Sequence, residues 1–208
     1  MTDEIKTPVI PIVQAEDAKT AVLTAKALQK GGLNMIEVVL RTDAALTCLE
    51  AISQELPDVI VGAGTVLNAG QADEVARRGA KFIVSPGLDD GVVNSAKAND
   101  LPIFPGVVTP SEVQRAANMG LSTVKFFPAS LAGGVPMLKA LSAVFRNMQF
   151  MPTGGVSEAN LADYLALPSV VACGGSWLTP KDEIAAGNFG AVTKLAEEAL
   201  QIASNTRS

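Results

Sequence analysis

The chain has 208 residues, a net charge of −5 and no histidine. The missing imidazole removes Ser-His and Cys-His nucleophile systems and the usual His-containing zinc sites, leaving proton transfer to a carboxylate, lysine, tyrosine, cysteine or water. Aromatics at 4% and the lack of a Lys/Arg run give nucleic-acid binding little support.

The opening "MTDEIKTPVI" has no basic region ahead of an apolar stretch, so it is not expected to be a secretory signal. No apolar run approaches the roughly 20 residues that span a bilayer, and no membrane segment is expected. The first strand is predicted in "PVIPIV" (8–13). In the "EDAKTAVLTAKALQKGG" that follows, Ala18, Val22, Ala25 and Leu28 recur at helical spacing. Gly31 and Gly32 suit a helix C-cap, and the ending recurs at Arg78-Gly79 and Met119-Gly120.

The second strand, "MIEVVL" (35–40), carries an anomaly. Ile36, Val38 and Leu40 share one face, while Glu37, Val39 and Arg41 share the other. A carboxylate inside a β-branched strand needs a partner, and Arg41 is roughly 13 Å away along an extended chain. A partner on another strand is expected. "VIVGAG" (59–64), "FIVSP" (82–86) and "PIFPGV" (102–107) read as the next three strands.

The sixth strand, "TVKFFP" (123–128), holds the second anomaly, Lys125. If it points inward, Phe127 shares its face while Val124 and Phe126 pack outward. A lysine that snorkels to the strand end, or a structural Glu37–Lys125 ion pair, is the plainer reading. Buried ion pairs are weak contributors to stability, so a functional reason for keeping both is the better account.

"QFMPTGG" (149–155) and "VVACGG" (170–175) are the last two strands, each running into paired glycines. Free backbone N–H groups in such turns can cradle a phosphate, and Ser176 can add a hydroxyl. Either glycine pair alone would be an ordinary turn; the two after successive final strands make a more specific signal. Cys48 and Cys173 have no metal-ligand spacing and are expected to be reduced thiols of a cytoplasmic protein. "AVTKLAEEALQIA" (191–203) reads as a final amphipathic helix, and the polar tail "SNTRS" is expected to fray.

Strand centres roughly 20 to 27 residues apart, with helical segments between, predict a (β/α)8 TIM barrel, a single domain over residues 1–208. The competing fold is a doubly wound open sheet, whose nucleotide fingerprint would be "GAGTVL"; Leu67 stands where its third glycine belongs. In a barrel, an amine, a carboxylate, an arginine and a phosphate cradle gather at one end. A desolvated amine can attack a ketone, and the resulting iminium draws electrons from a neighbouring C–C bond. Glu37 could move the protons and Arg41 could grip a carboxylate.

"GGLNMIEVVLRT", "VGAGTVLN", "FIVSPGL", "STVKFFPA", "FMPTGGV" and "GGSWL", in this order, resemble the 2-keto-3-deoxy-6-phosphogluconate (KDPG) aldolases, which overlap with the 4-hydroxy-2-oxoglutarate aldolases. The resemblance runs from about residue 8 to about residue 200. It implies a class I lysine mechanism with no metal or other cofactor, a phosphorylated 2-keto-3-deoxy sugar acid as substrate, pyruvate as a product, and commonly a homotrimer. By resemblance Lys125 is the Schiff-base lysine and Glu37 the proton-transferring carboxylate. Arg41, Thr65 and Pro86 would line the pyruvyl end, with Phe127 beside the lysine. Thr153, Gly154 and Gly155 match the motif for pyruvyl contacts and stereochemical choice, and Gly174, Gly175 and Ser176 match the phosphate end. Gln14, Glu16 and Asp17 stand where many relatives carry basic residues. The activity implied is cleavage of KDPG to pyruvate and glyceraldehyde 3-phosphate in the Entner–Doudoroff route. Alternatives are an aldolase for the galactonate epimer or for 4-hydroxy-2-oxoglutarate, a metal-free sugar-phosphate isomerase or epimerase using Glu37 as base, and a non-catalytic sugar-phosphate sensor.

Overall fold

The computed structural model describes Ile5 and residues 7–207; half of the opening stretch considered above as a possible signal, and Ser208, lie outside them. Strands and helices alternate along the chain: β1 Val9–Val13, α1 Ala18–Lys30, β2 Met35–Val39, α2 Ala45–Glu55, β3 Ile60–Gly64, α3 Ala69–Arg77, β4 Ile83–Ser85, α4 Asp90–Ala98 and β5 Ile103–Val107. They continue with α5 Pro110–Asn118, β6 Thr123–Phe126, α6 Gly134–Val144, β7 Gln149–Pro152, α7 Glu158–Leu165, β8 Cys173–Gly175, α8 Lys181–Ala185 and α9 Phe189–Arg207.

The strands are parallel, in the order β7-β6-β5-β4-β3-β2-β1-β8. Parallel bridges Phe150–Val170 and Thr153–Gly174 join the two ends of that order, so the sheet closes on itself. This is the (β/α)8 barrel expected from the strand spacing. Closure through those bridges rules out the open doubly wound sheet.

Alternation along each strand splits the apolar residues into two cores. Ile36, Val38, Val124, Phe126 and Phe150 pack outward under the helices. Ile10, Met35, Phe82, Val84, Phe104, Met151 and Ala172 fill the barrel interior. The Phe82 and Phe104 rings meet there at 6.0 Å and 52°. Burying each such side chain stabilises the fold by roughly 1.5–3 kcal/mol. Gly62 makes room for this packing, since a Cβ there would fall 2.4 Å from the Phe82 ring. The repeated Gly endings stop α1, α3 and α5: Gly32, Gly79 and Gly120 have φ of +92°, +93° and +78°, a region that favours glycine.

Two expectations need correction. The tail does not fray within the described residues: α9 continues through Asn205, Thr206 and Arg207. Arg207 Nη2 donates to the carbonyls of Val170 (2.8 Å) and Val171 (3.0 Å), clamping the helix end beneath the barrel. Those carbonyls are therefore committed to a guanidinium, and β8 begins at Cys173 instead of Val170. Gly174 and Gly175 consequently lie inside the strand and not in a turn after it. Cys48 and Cys173 are free and buried. No helix among the described residues is long and apolar enough to cross a membrane.

Candidate active site

Glu37 lies in the middle of β2 and Lys125 in β6. Three strands separate β2 from β6 whichever way one goes round the barrel, so the two side chains can meet only across its axis. They do: Lys125 Nζ is 3.9 Å from Glu37 Oε1, with the side chains 4% and 1% exposed. The partner sought for Glu37 on another strand is thus Lys125. Their strand neighbours offer no competing charge. Ile12 and Gly62 flank Glu37 in register, and Gly106 and Met151 flank Lys125. Neither carboxylate oxygen of Glu37 has a hydrogen-bond partner among the described residues. Leaving a buried acceptor unpaired costs roughly 1–3 kcal/mol, more when it is charged. Lys125 Nζ also sits 4.8 Å from the centroid of the Phe127 ring, placing Phe127 beside the lysine as expected.

Around this pair, the C-terminal strand ends form a rim. Arg41 Nε donates to Thr65 Oγ1 at 3.1 Å, joining the ends of β2 and β3. Thr65 takes φ +60°, an uncommon conformation for a β-branched residue. Pro86 follows β4, and its carbonyl oxygen would be 2.0 Å from a Cβ at Gly106, the register partner of Lys125. Thr153 is buried and packs on Gly174, where a Cβ would lie 2.4 Å from Thr153 Oγ1. Gly154 and Gly155 have positive φ, and Gly154 lies against the Phe127 ring. The loops after β6 and β7 are tied by Ala129 N to Thr153 O (2.8 Å) and Ser130 N to Gly154 O (3.0 Å). Ser176 is exposed beyond β8.

The profile of the KDPG and KHG aldolase family matches residues 3–195. The chain belongs to this family. It is 46% identical over 194 residues to the KHG/KDPG aldolase of Escherichia coli, covering 93% of this chain and 91% of that protein. Among solved structures, the KDPG aldolase of Legionella pneumophila, with pyruvate captured as a covalent carbinolamine intermediate, superposes with a TM-score of 0.91. It is 40% identical, over 93% of this chain and 94% of that one. The 2-keto-3-deoxy-6-phosphogluconate aldolase of Zymomonas mobilis with 3-phosphoglycerate gives a TM-score of 0.87 at 41% identity, over 94% and 91% of the two chains.

The candidate residues singled out in the sequence fall into two groups in the structure. Glu37, Lys125 and Phe127 converge, whereas Arg41 turns to Thr65 and makes no ion pair or hydrogen bond with Glu37. Gly175 lies against the Trp177 ring, and a Cβ there would fall 1.9 Å from it. The acidic first-strand loop has a local explanation, since Asp17 caps α1 by accepting from Thr20 N and Oγ1, both at 2.8 Å. Those bonds hold its carboxyl below the ordinary carboxylate range.

Three neighbours escaped sequence reasoning. Gly64 gives Glu37 its space, because a Cβ there would be 2.0 Å from Oε1. Ser130 fills the corresponding space at Gly155. Thr123, two residues before Lys125, has a buried hydroxyl without a partner among the described residues. The repeated small residues of "VGAG" were the available signal for Gly64; they were weighed as a nucleotide fingerprint instead of as room for a side chain.

Proposed function

We propose that the chain is a class I aldolase that cleaves KDPG to pyruvate and glyceraldehyde 3-phosphate. The observation that carries this reading is an amine inside an apolar barrel facing a carboxylate whose two oxygens are unpartnered. A structural ion pair would be expected to satisfy those oxygens; a proton-transfer group leaves them free for a substrate hydroxyl.

Lys125 Nζ, as the neutral amine, adds to the C2 ketone and forms a carbinolamine. Glu37 supplies the proton that lets the C2 hydroxyl leave as water, giving an iminium. The Glu37 carboxylate then takes the C4 hydroxyl proton. As the C4–O bond becomes a carbonyl, the C3–C4 electron pair moves to C3 and onward to neutralise the iminium. Glyceraldehyde 3-phosphate departs and an enamine remains on Lys125. Protonation at C3 and addition of water at C2 release pyruvate and the free amine. Arg41, held by Thr65, is positioned to bind the substrate carboxylate. Pro86, Phe127 and Thr153 wall the pyruvyl end, and Gly154 and Gly155 shape the turn above it. Gly174, Gly175 and Ser176 form the phosphate end, with Trp177 as its floor.

We assign residues 1–208 to one barrel unit acting in the cytoplasm; two buried free thiols support that placement. Assembly as a homotrimer rests on family resemblance. Leu131 and Val144, 87% and 73% exposed, offer apolar surface that subunit contacts would cover. The test is pyruvate release from KDPG, its galactonate epimer and 4-hydroxy-2-oxoglutarate by the chain and by Lys125→Met. The proposal expects cleavage that is fastest on KDPG and absent in the variant; no pyruvate from any of the three refutes it.

A further inference from the structure

A cleft of about 430 Å³ opens at the end of the barrel opposite Lys125, where α6 ends and β7 begins. Lys139, Ser142, Ala143 and Arg146 line one side; Gln149, Leu167, Pro168 and Ser169 line the other. No carboxylate among the described residues lines it, although the chain carries twenty-one acidic and sixteen basic residues.

Arg146 sets this cleft apart from the remaining surface. Each of the other five arginines has a side-chain partner. Arg41 bonds Thr65, Arg77 and Arg78 pair with Glu74, Arg115 with Asp90, and Arg207 bonds two carbonyls. Arg146 has neither an ion pair nor a side-chain hydrogen bond among the described residues, and neither does Lys139. Lys139 precedes the last turn of α6, so it does not serve to neutralise that helix end.

The cleft also reads hydroxyl donors. Ser142 Oγ donates to Leu138 O at 2.7 Å, and the Ser142 and Ser169 hydroxyl oxygens are 2.6 Å apart. With Ser142's proton committed to the carbonyl, Ser169 donates to Ser142, and both hydroxyls present only lone pairs outward. The backbone N–H of Gln149 is committed to Ser122 O at 2.8 Å, while its side-chain amide makes no hydrogen bond among the described residues. Two unpaired cations select an anion, and acceptor lone pairs beside them select a hydroxyl on the same molecule.

We propose that this cleft is a second binding site, separate from the catalytic pair, for a small phosphorylated hydroxy acid. Its apolar floor of Ala143, Leu167 and Pro168 suits the carbon chain of such a ligand.

The test is an amide NMR titration of the full chain with 3-phosphoglycerate, scored separately at this cleft and at Gly174–Ser176. Saturable shifts at Ser142, Arg146, Gln149 and Ser169 are expected, with affinity in the millimolar range or tighter, ~4 kcal/mol or more of binding free energy. Lys139→Ala/Arg146→Ala should weaken the cleft response at least ~10-fold, since each charge-assisted bond lost is worth about that factor. Both residues are exposed, and the response at Gly174–Ser176 in that variant doubles as a check on its fold. Inorganic phosphate and glycerate, each lacking one of the two groups, should both bind the cleft more weakly than 3-phosphoglycerate. Non-saturating shifts, an unchanged response in the double variant, or equal binding of inorganic phosphate would each overturn the proposal.

Discussion

Thr65 stands at φ +60°, and its hydroxyl accepts from Arg41 Nε at 3.1 Å. A non-glycine residue held in that region costs of order 1–3 kcal/mol. Thr65→Gly removes the strain but adds freedom to the unfolded chain, a loss of roughly 0.4–1 kcal/mol. The net expectation is a variant more stable by roughly 0–2.6 kcal/mol. In a protein of this size each kcal/mol moves the melting temperature by roughly 2–4 °C, so thermal unfolding should shift upward by up to about 10 °C. Activity should move the other way. Arg41 is solvent-exposed and loses its only side-chain hydrogen bond among the described residues, so in the proposed role it is no longer held ready for the substrate carboxylate. Loss of one charge-assisted contact corresponds to a fall of about 10-fold or more in kcat/KM, carried mainly by KM. The assay pairs melting curves with pyruvate release from KDPG. A lower melting temperature together with unchanged kcat/KM would show that Thr65 is neither strained nor positioning Arg41.

Glu37→Gln keeps the shape and removes the exchangeable carboxyl proton, so turnover should fall by roughly 10²- to 10⁴-fold. Slow imine formation with pyruvate should survive; unchanged turnover would return Glu37 to a structural ion pair. Gly175→Val drives a side chain into the Trp177 ring, so tryptophan emission should change. Cleavage of KDPG should then drop far more than cleavage of 4-hydroxy-2-oxoglutarate, which carries no phosphate. Equal losses would detach this strand end from phosphate binding. Burial pushes the Cys173 thiol up to about 12 against an ordinary 9.0, with Arg207 opposing only in part. Its folded form holds the proton more tightly than its unfolded form, so its contribution is complete below pH 9 and declines as pH rises toward 12. Denaturant titrations should show stability falling across that window, and Cys173→Ala should flatten the fall; an identical slope in the variant would contradict the assignment.

The barrel was legible because strand spacing and β-branched runs are local signals, and each of the eight expected runs contains a strand. Glu37 and Lys125 were legible because a charge in an apolar alternating strand breaks its own pattern. Their pairing could be inferred, since each lacked any other partner. The fitted spaces were not legible. Gly64 matters only because the Glu37 side chain from the next strand fills the volume above it, and Gly175 only because Trp177 folds back over it. A glycine carries no side-chain pattern, so such a requirement appears only when its neighbour's rotamer is known. The tail failed for a related reason. "SNTRS" is polar by composition, yet Arg207 finds two main-chain acceptors 36 and 37 residues away in sequence. Long-range satisfaction of that kind overrides local composition.

The most direct measurement is incubation of the chain with pyruvate and borohydride, followed by peptide mass mapping. An imine between pyruvate and Lys125 would be reduced to a stable secondary amine, so one adduct is expected, on the peptide containing "STVKFFPAS". Lys125→Met should lose both the adduct and KDPG cleavage, with its melting curve showing that it remains folded although Glu37 loses its cation. An adduct on a different lysine, or cleavage that persists in Lys125→Met, would contradict the mechanism.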